Sequence, residues 1–127
     1  MPRTPSDQPT DVEMQILQVL WELKFGTARA VHDQLSKHRD TNYSTTVKML
    51  QIMREKGWVS CNDSVRPQVF KPMMTREKTG KRLIRDLVDK VYNGSVMSMA
   101  MHALSSGRAS EAEIQEMREL LDRLEKK

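Results

Sequence analysis

Apolar residues recur at helical spacing along the chain, and in the first segment they form two stripes. Thr10 and Glu13 have the spacing of a capping box, which predicts a helix start at this point, and Gly26 is predicted to end the helix. A helix that is apolar on two sides is generally covered on two sides. The first stripe is Val12, Ile16, Val19, Leu20 and Leu23, and the second is Met14, Leu17 and Trp21.

Two further helices follow, one over 27–37 and one over 42–56. Asn42 is a good cap for the second of these, and Gly57 can supply a left-handed stop. The inward positions are Ala28, Val31 and Leu35 in the former, and Thr46, Met49, Leu50 and Met53 in the latter. Ser44, Val47, Lys48 and Gln51 fall on the opposite, outward face of the 42–56 helix.

Two β-rich runs, 58–61 and 65–71, are joined by turn-prone residues and predict a hairpin. Pro67 lacks an amide proton, so the second run is expected to be an edge strand or a bulged one. Three helices followed by a hairpin is the order of elements in a winged helix-turn-helix. We therefore expect a mainly α fold with a small β-hairpin wing.

The remaining chain predicts three short helices. Thr75 can cap the first, Asn93 and Gly94 end it, and a second capping box at Ser110 and Glu113 opens the last. Their apolar residues exceed what three short helices can cover, so a second copy of the chain is the expected cover. We expect a flexible arm over 1–9, a DNA-binding domain over 10–72 and a dimerisation region over 73–127. The expected interface residues are Leu83, Leu87, Val91, Ile114, Leu120, Leu121 and Leu124.

Charge is distributed unevenly, although the net charge is only +4. From Lys24 to Lys71 there are nine lysines and arginines against four acids, as a phosphate-contacting surface would need. No apolar run is long enough to span a bilayer, and the residues MPRTPSDQPT lack the apolar stretch of a secretory signal, so export is not expected. The single cysteine, Cys61, fits a reducing cytoplasm, which is the expected location.

Several segments in order resemble the penicillinase-repressor family, which includes repressors of methicillin resistance and of copper transport. The similarity covers about residues 10–125. The matching segments are Glu13 to Trp21, Thr27-Ala28-Arg29, Tyr43-Ser44-Thr45-Thr46, Met49-Leu50-Gln51, Glu55-Lys56-Gly57, Val91 to Ser95, Ser110 to Ile114 and Met117 to Leu121. The resemblance implies a homodimeric repressor on a two-fold symmetric double-stranded DNA operator.

The inducing signal is less well indicated by the resemblance. Antibiotic-responsive members are cut between Asn and Phe after a membrane sensor is triggered, which implies an indirect partner protease. The matching positions here are His102 and Ala103, so this candidate cleavage region departs from the pattern. Copper-responsive members carry Cys-x-Cys pairs near the C-terminus, and this sequence has none.

The outward face of the 42–56 helix is the expected reading surface. Lys48 suits phosphate or guanine, Gln51 suits adenine, and Val47 can meet a thymine methyl. Contacts with backbone phosphates are expected from several further residues, for which packing or a solvated surface is the competing interpretation. The complete expected DNA-binding set is Thr27, Arg29, Tyr43, Ser44, Thr45, Val47, Lys48, Gln51, Arg66 and Lys71.

Other chemistry is not indicated. No nucleophile stands beside a base and no glycine-rich phosphate loop occurs, so we expect neither an enzyme nor a bound cofactor. His32, His38 and His102 are scattered without ligand spacing, and no metal site is expected. Cys61 is interpreted as a passive thiol. The alternative function is a winged-helix protein-interaction module, which would usually show an apolar patch where Ser44, Lys48 and Gln51 lie.

Overall fold

The computed structural model describes residues 8–126, and the residues of the expected N-terminal arm before residue 8 lie outside the described part. The chain forms two compact units, one up to Leu83 and one from Ile84. The elements are α1 (Asp11–Leu23), β1 (Gly26–Thr27), α2 (Ala28–Leu35), α3 (Tyr43–Lys56), β2 (Val59–Asn62), β3 (Val69–Pro72), α4 (Arg76–Val91), α5 (Val96–Ser105) and α6 (Glu111–Glu125). The expected division at residue 72 into functional regions stays a prediction.

Helix α1 is the centre of the first unit. The Thr10 hydroxyl accepts from the Glu13 amide, and the Glu13 carboxylate accepts from the Thr10 amide, as the capping box predicted. Residues from both stripes are buried, namely Ile16, Leu17, Val19 and Leu20. The helix contacts α2 and β3, so its two-sided apolar pattern is explained by cover from both a helix and the sheet.

The end of α1 differs from the prediction. The helix ends at Leu23, and Lys24 takes a positive φ of 75° in place of a glycine stop. Gly26 begins the short strand β1 instead. A Cβ at Gly26 would lie 3.3 Å from the Leu23 side chain, so the glycine permits close packing between the helix end and the strand.

The sheet also differs from a simple hairpin. Its order is β1-β3-β2 and both pairings are antiparallel, so β3 is the central strand and the expectation of an edge or bulged strand was wrong. The strand begins only at Val69, so Pro67 lies in the loop and its missing amide proton costs no ladder hydrogen bond. Phe70 pairs with Gly26 on one side and Cys61 on the other, and it is buried.

The caps of α2 and α3 fix where those helices begin. Thr27 caps α2 through a bond from the Ala30 amide, and Asn42 caps α3 through a bond from the Thr45 amide. Gly57 ends α3 in the left-handed conformation with φ 89°, as predicted. The inward faces are those predicted, since Val31, Leu35, Thr46, Leu50 and Met53 are buried.

One buried charge ties α1 to the end of α3. The Glu13 carboxylate is 1% exposed and accepts a 2.9 Å hydrogen bond from the Lys56 ammonium, whose side chain is partly exposed. Burial opposes ionisation of Glu13, but the hydrogen bonds from Lys56 and Thr10 outweigh it and hold the pKa of that carboxyl below its usual value. The pair fixes the distance between the two helices at this point.

Helix α4 begins in the first unit. The Thr75 hydroxyl accepts from the Lys78 amide at 3.1 Å, and Thr79 is buried. The indole N–H of Trp21 donates to the Met74 carbonyl at 2.9 Å, which fixes the segment just before the helix. The second unit contains the rest of α4 together with α5 and α6. Ser110 and Glu113 form the second capping box at the start of α6.

We expect Glu13→Gln to lower the free energy of unfolding at neutral pH by roughly 1–2 kcal/mol. The glutamine keeps the capping geometry but loses the charge-assisted bond to a partly exposed lysine. Because the pKa of Glu13 is lowered in the folded chain, this stabilisation is present above the unfolded pKa of about 4.3 and is lost as the pH falls below it.

Urea unfolding at pH 7 and pH 3 measures this difference. The gap between wild type and Glu13→Gln should narrow at the lower pH, and Glu22→Gln, an exposed position on the same helix, is the control. Equal gaps at both pH values would contradict a role for the Glu13 charge.

Candidate nucleic-acid interface

The outward face of α3 is polar and accessible. Ser44, Lys48 and Gln51 are exposed, and Val47 between them is half-buried. The opposite face is held in the core by Thr46, Leu50 and Met53. Since the inward face allows only one rotation of the helix, the four outward residues predicted from sequence are presented together.

The start of α3 is organised by its cap. The Asn42 side-chain oxygen accepts both from the Thr45 amide at 2.8 Å and from the Ser44 hydroxyl at 2.9 Å. The hydroxyl proton of Ser44 is therefore used within the protein, and its oxygen lone pairs are left for an outside donor. The side chain of Thr45 is exposed beside it.

Arg29 and Tyr43 are brought together by the approach of α2 to α3. The Arg29 guanidinium lies 4.0 Å from the centre of the Tyr43 ring, a cation–π contact that orients the charge. The His32 ring meets the Tyr43 ring edge-on at 5.8 Å, and its Nδ1 lies 2.9 Å from the Thr46 hydroxyl oxygen. This contact of His32 could not be predicted from the sequence, because it depends on how the two helices cross.

Thr27 is placed differently from the other expected DNA-binding residues. Its hydroxyl oxygen accepts from the Ala30 amide at 3.1 Å, and its backbone pairs with Val69 in the sheet. The side chain therefore serves as a helix cap. A contact of Thr27 with phosphate has to use the hydroxyl proton, which the bond from the Ala30 amide leaves available as a donor.

The two wing residues are both exposed. Lys71 lies on β3 opposite Ser60. Arg66 lies in the loop between β2 and β3, where its Nη1 donates to the Asp63 carbonyl at 2.8 Å and to the Val65 carbonyl at 3.3 Å. The Arg66 guanidinium is thus held by the loop's own backbone.

The Asp63 carboxylate, at the turn after β2, accepts hydrogen bonds from several side chains. Its Oδ2 accepts from Arg54 at 2.8 Å, and its Oδ1 accepts from Gln68 at 2.7 Å and from the Cys61 thiol at 3.3 Å. The hydrogen bonds from Arg54 and Cys61 lower the pKa of Asp63. Arg54 and Asp63 were not predicted as a pair, since nine positions of sequence and a helix-to-strand turn separate them.

The Cys61 thiol is half-buried on β2. Burial raises its pKa, and the neighbouring Asp63 carboxylate raises the pKa further by accepting a hydrogen bond from the thiol and by charge repulsion with the thiolate. The nearby Arg54 and Arg66 oppose this shift in pKa without reversing it. The environment thus favours the protonated thiol. The passive role interpreted from the sequence stays a prediction.

The apolar residues expected at a dimer interface are largely exposed in the single chain. Val91 is 62% exposed and Leu121 63%, whereas Leu83 is half-buried. The remaining exposed members of that set are Leu87, Ile114, Leu120 and Leu124. The set therefore forms accessible apolar surface on α4 and α6.

The candidate cleavage region lies within a helix. His102 and Ala103 fall in the last turns of α5, and the Tyr92 hydroxyl lies 2.8 Å from His102 Nδ1. The two rings also meet edge-on at 6.0 Å. This contact joins the segment after α4 to α5 inside the second unit.

Over residues 8–126, no three or more histidines, cysteines or acids come close enough together to hold a metal ion. In the same part of the chain, every helix is too short or too polar to cross a membrane.

We expect Asp63→Ala to shift the pH midpoint of Cys61 alkylation to a lower value. Removing the carboxylate removes two influences that raise the thiol pKa, so thiolate forms at a lower pH. The rate of iodoacetamide labelling, measured from pH 7 to 10, separates this shift from a change in access, because access alters the high-pH plateau. An unchanged midpoint would show that Asp63 does not act on the thiol, and Asp40→Ala, at an exposed loop position, is the control.

The sequence is similar to those of known repressor proteins. The chain is 24% identical over 115 residues to the penicillinase repressor of Bacillus licheniformis, covering 91% of this chain and 90% of that protein. It is 18% identical over 114 residues to the methicillin resistance regulatory protein MecI of Mammaliicoccus sciuri, covering 90% and 93%.

A solved structure supports the fold. The solution structure of the DNA binding domain of the repressor BlaI matches with a TM-score of 0.51 and 24% identity, covering 60% of this chain and 90% of that one. The first unit is therefore a winged helix. The family model described as penicillinase repressor matches residues 9–123, and the chain belongs to the penicillinase repressor family.

Proposed function

We propose that this protein is a sequence-specific DNA-binding transcriptional repressor that acts as a homodimer on a two-fold symmetric operator. The observation that carries the proposal is the outward face of α3, where Ser44, Lys48 and Gln51 are exposed above a buried inner face. A helix presented in this way can enter the major groove and reach base edges. Family membership and the fold of the BlaI domain support the same conclusion.

The outward face of α3 makes the proposed contacts with the bases. Gln51 can bond both hydrogen-bonding groups of an adenine edge, and Lys48 can donate to guanine or to phosphate. Val47, half-buried between them, offers a methyl contact to thymine. Ser44 contributes an acceptor unless its proton leaves the Asn42 cap.

The remaining residues fix the protein on the phosphate backbone. The stacked pair Arg29 and Tyr43 presents an oriented cation and a phenol near the start of α3. Contacts of this kind set register and orientation without reading sequence. The other proposed backbone contacts come from Thr27, Thr45, Arg66 and Lys71.

The exposed apolar surface of α4 and α6 supports the proposed dimer. Val91, Leu121 and Leu124 are each more than half exposed in the single chain. Burial of such surface against a second copy is favourable in proportion to its area. Two copies of one reading helix related by a two-fold axis match an operator with the same symmetry.

The alternative function, a protein-interaction module, is less well supported by the geometry. A protein-binding surface on α3 would be expected to expose apolar or aromatic residues at its centre. The exposed residues of the outward face of α3, namely Ser44, Lys48 and Gln51, are polar, and the one exposed aromatic residue of the helix, Tyr43, lies at its first position. Their polarity favours a nucleic acid as the partner.

Relief of repression by a membrane sensor protease would have to overcome the structure of α5. Residues 102 and 103 are helical, and His102 is hydrogen-bonded to Tyr92. A peptide bond inside a helix becomes accessible to a protease after local opening. Cutting there would separate α6 from the DNA-binding unit and weaken DNA binding by loss of the dimer.

We expect Lys48→Ala to weaken binding to a DNA fragment from the promoter of the protein's own gene without unfolding the chain. Loss of a phosphate contact would make the salt dependence shallower by roughly one, whereas loss of a guanine contact would lower discrimination by about 1–3 kcal/mol. Titrations at several salt concentrations, on the promoter fragment and a scrambled one, separate the two cases. Lys81→Ala, at an exposed position on α4, is the control, and wild-type binding by Lys48→Ala would remove α3 from the site.

We expect Leu121→Glu to shift the chain from dimer to monomer in sedimentation equilibrium. Burying an unpaired carboxylate at an apolar interface is costly, while an exposed one in the monomer is not. Operator binding should fall with the dimer, by tenfold or more if the interface loses about 1.4 kcal/mol or more. Gln115→Glu adds the same charge at an exposed polar position of α6 and should stay dimeric. A Leu121→Glu dimer as stable as wild type would place the interface elsewhere.

A further inference from the structure

The turn between the wing strands is built around one carboxylate. Asp63 accepts from Arg54 near the end of α3, from Cys61 on β2 and from Gln68 just before β3. The three donors come from the helix and from both sides of the hairpin. One side chain therefore sets where the wing loop lies relative to α3.

The same residue holds the wing arginine through its backbone. The Asp63 carbonyl accepts from Arg66 Nη1 at 2.8 Å, and the Val65 carbonyl accepts from the same atom at 3.3 Å. The neighbouring Asn62 stiffens the turn, since its side-chain oxygen accepts from the Ser64 amide and hydroxyl. A long side chain that is already ordered loses less conformational entropy when it binds.

The charges at this turn are arranged for an anionic partner. A bare carboxylate beside the loop would repel phosphate. Here the two carboxylate oxygens of Asp63 face Arg54 at 2.8 and 3.4 Å, so the negative charge of Asp63 is balanced by the positive charge of Arg54. The net positive charge of the turn is then that of Arg66.

We propose that Asp63 is a positioning residue for DNA binding, which locks the wing to the recognition helix α3 and aims Arg66 at the phosphate backbone. This inference rests on the proposed function. In this proposal the Asp63 carboxylate fixes the loop through Arg54, Cys61 and Gln68, and the loop carbonyls in turn hold Arg66, so the effect of Asp63 on binding passes through Arg66. The two residues should therefore behave as one unit when they are substituted.

A double-mutant cycle on DNA binding tests this dependence. The probe is a double-stranded fragment of the promoter of the protein's own gene, and the full-length variants are Asp63→Ala, Arg66→Ala and the double variant. We expect each single change to weaken binding about threefold to tenfold, as for one phosphate contact. The double variant should bind DNA no more than about twofold more weakly than the single variant with the lower affinity.

Lys48 supplies the matched control for this cycle. Combined with Lys48→Ala, the Asp63→Ala change should cost the same factor as it does in wild type, because Lys48 lies on α3 rather than in the wing. A purely structural role for Asp63 would give the same factor in all backgrounds, including Arg66→Ala. If the loss of affinity in the double variant equals the product of the losses caused by Asp63→Ala and Arg66→Ala, the proposal is overturned.

Failure of a variant to fold and failure of the proposed function can each be distinguished from failure of the positioning role. If Asp63→Ala does not fold, as judged by its circular dichroism, Asp63→Asn keeps the size of the side chain and completes the same cycle. If the wild type does not bind the promoter fragment, or Lys48→Ala binds as wild type, the proposed function itself fails. If Lys48→Ala weakens DNA binding as expected, but the losses from Asp63→Ala and Arg66→Ala are independent of each other, only the positioning role of Asp63 is overturned.

Discussion

Burial of α1 on two sides is the constraint on which the rest of the first unit depends. Ile16, Leu17 and Leu20 are all but inaccessible, and the helix contacts both α2 and β3. Interiors of this kind are packed as densely as crystals, so the covering elements have little freedom to shift. The Glu13 carboxylate adds a directional contact to Lys56 at the end of α3. The orientation of the exposed face of α3 thus depends mainly on buried residues.

Local signals in the sequence were sufficient to predict most of the helices. The caps at Thr10, Asn42 and Ser110 and the left-handed Gly57 all lie where the sequence placed them. Each depends on residues within four positions of one another, and short-range geometry of this kind is encoded directly in the spacing. The outward face of α3 was likewise predictable, since helical periodicity alone determines it.

Features that depend on distant pairing were missed. Strand β1 has two residues, too few for a periodic pattern, and it exists only because β3 lies beside it. The central position of β3 follows from the same pairing. The contacts of Arg29 with Tyr43 and of Arg54 with Asp63 join separate elements, so neither partner is marked by its neighbours in the sequence.

The central position of β3 has a consequence for how the wing can vary in length among homologous chains. The loop over 63–68 hangs outside the ladder, so an inserted residue there lengthens the loop and leaves both strand pairings in register. An insertion within β3 would reverse the side chains beyond it, turning Phe70 outward and Lys71 into the core. Changes of loop length should therefore leave the sheet intact, whereas the spacing from Val69 to Pro72 should stay constant.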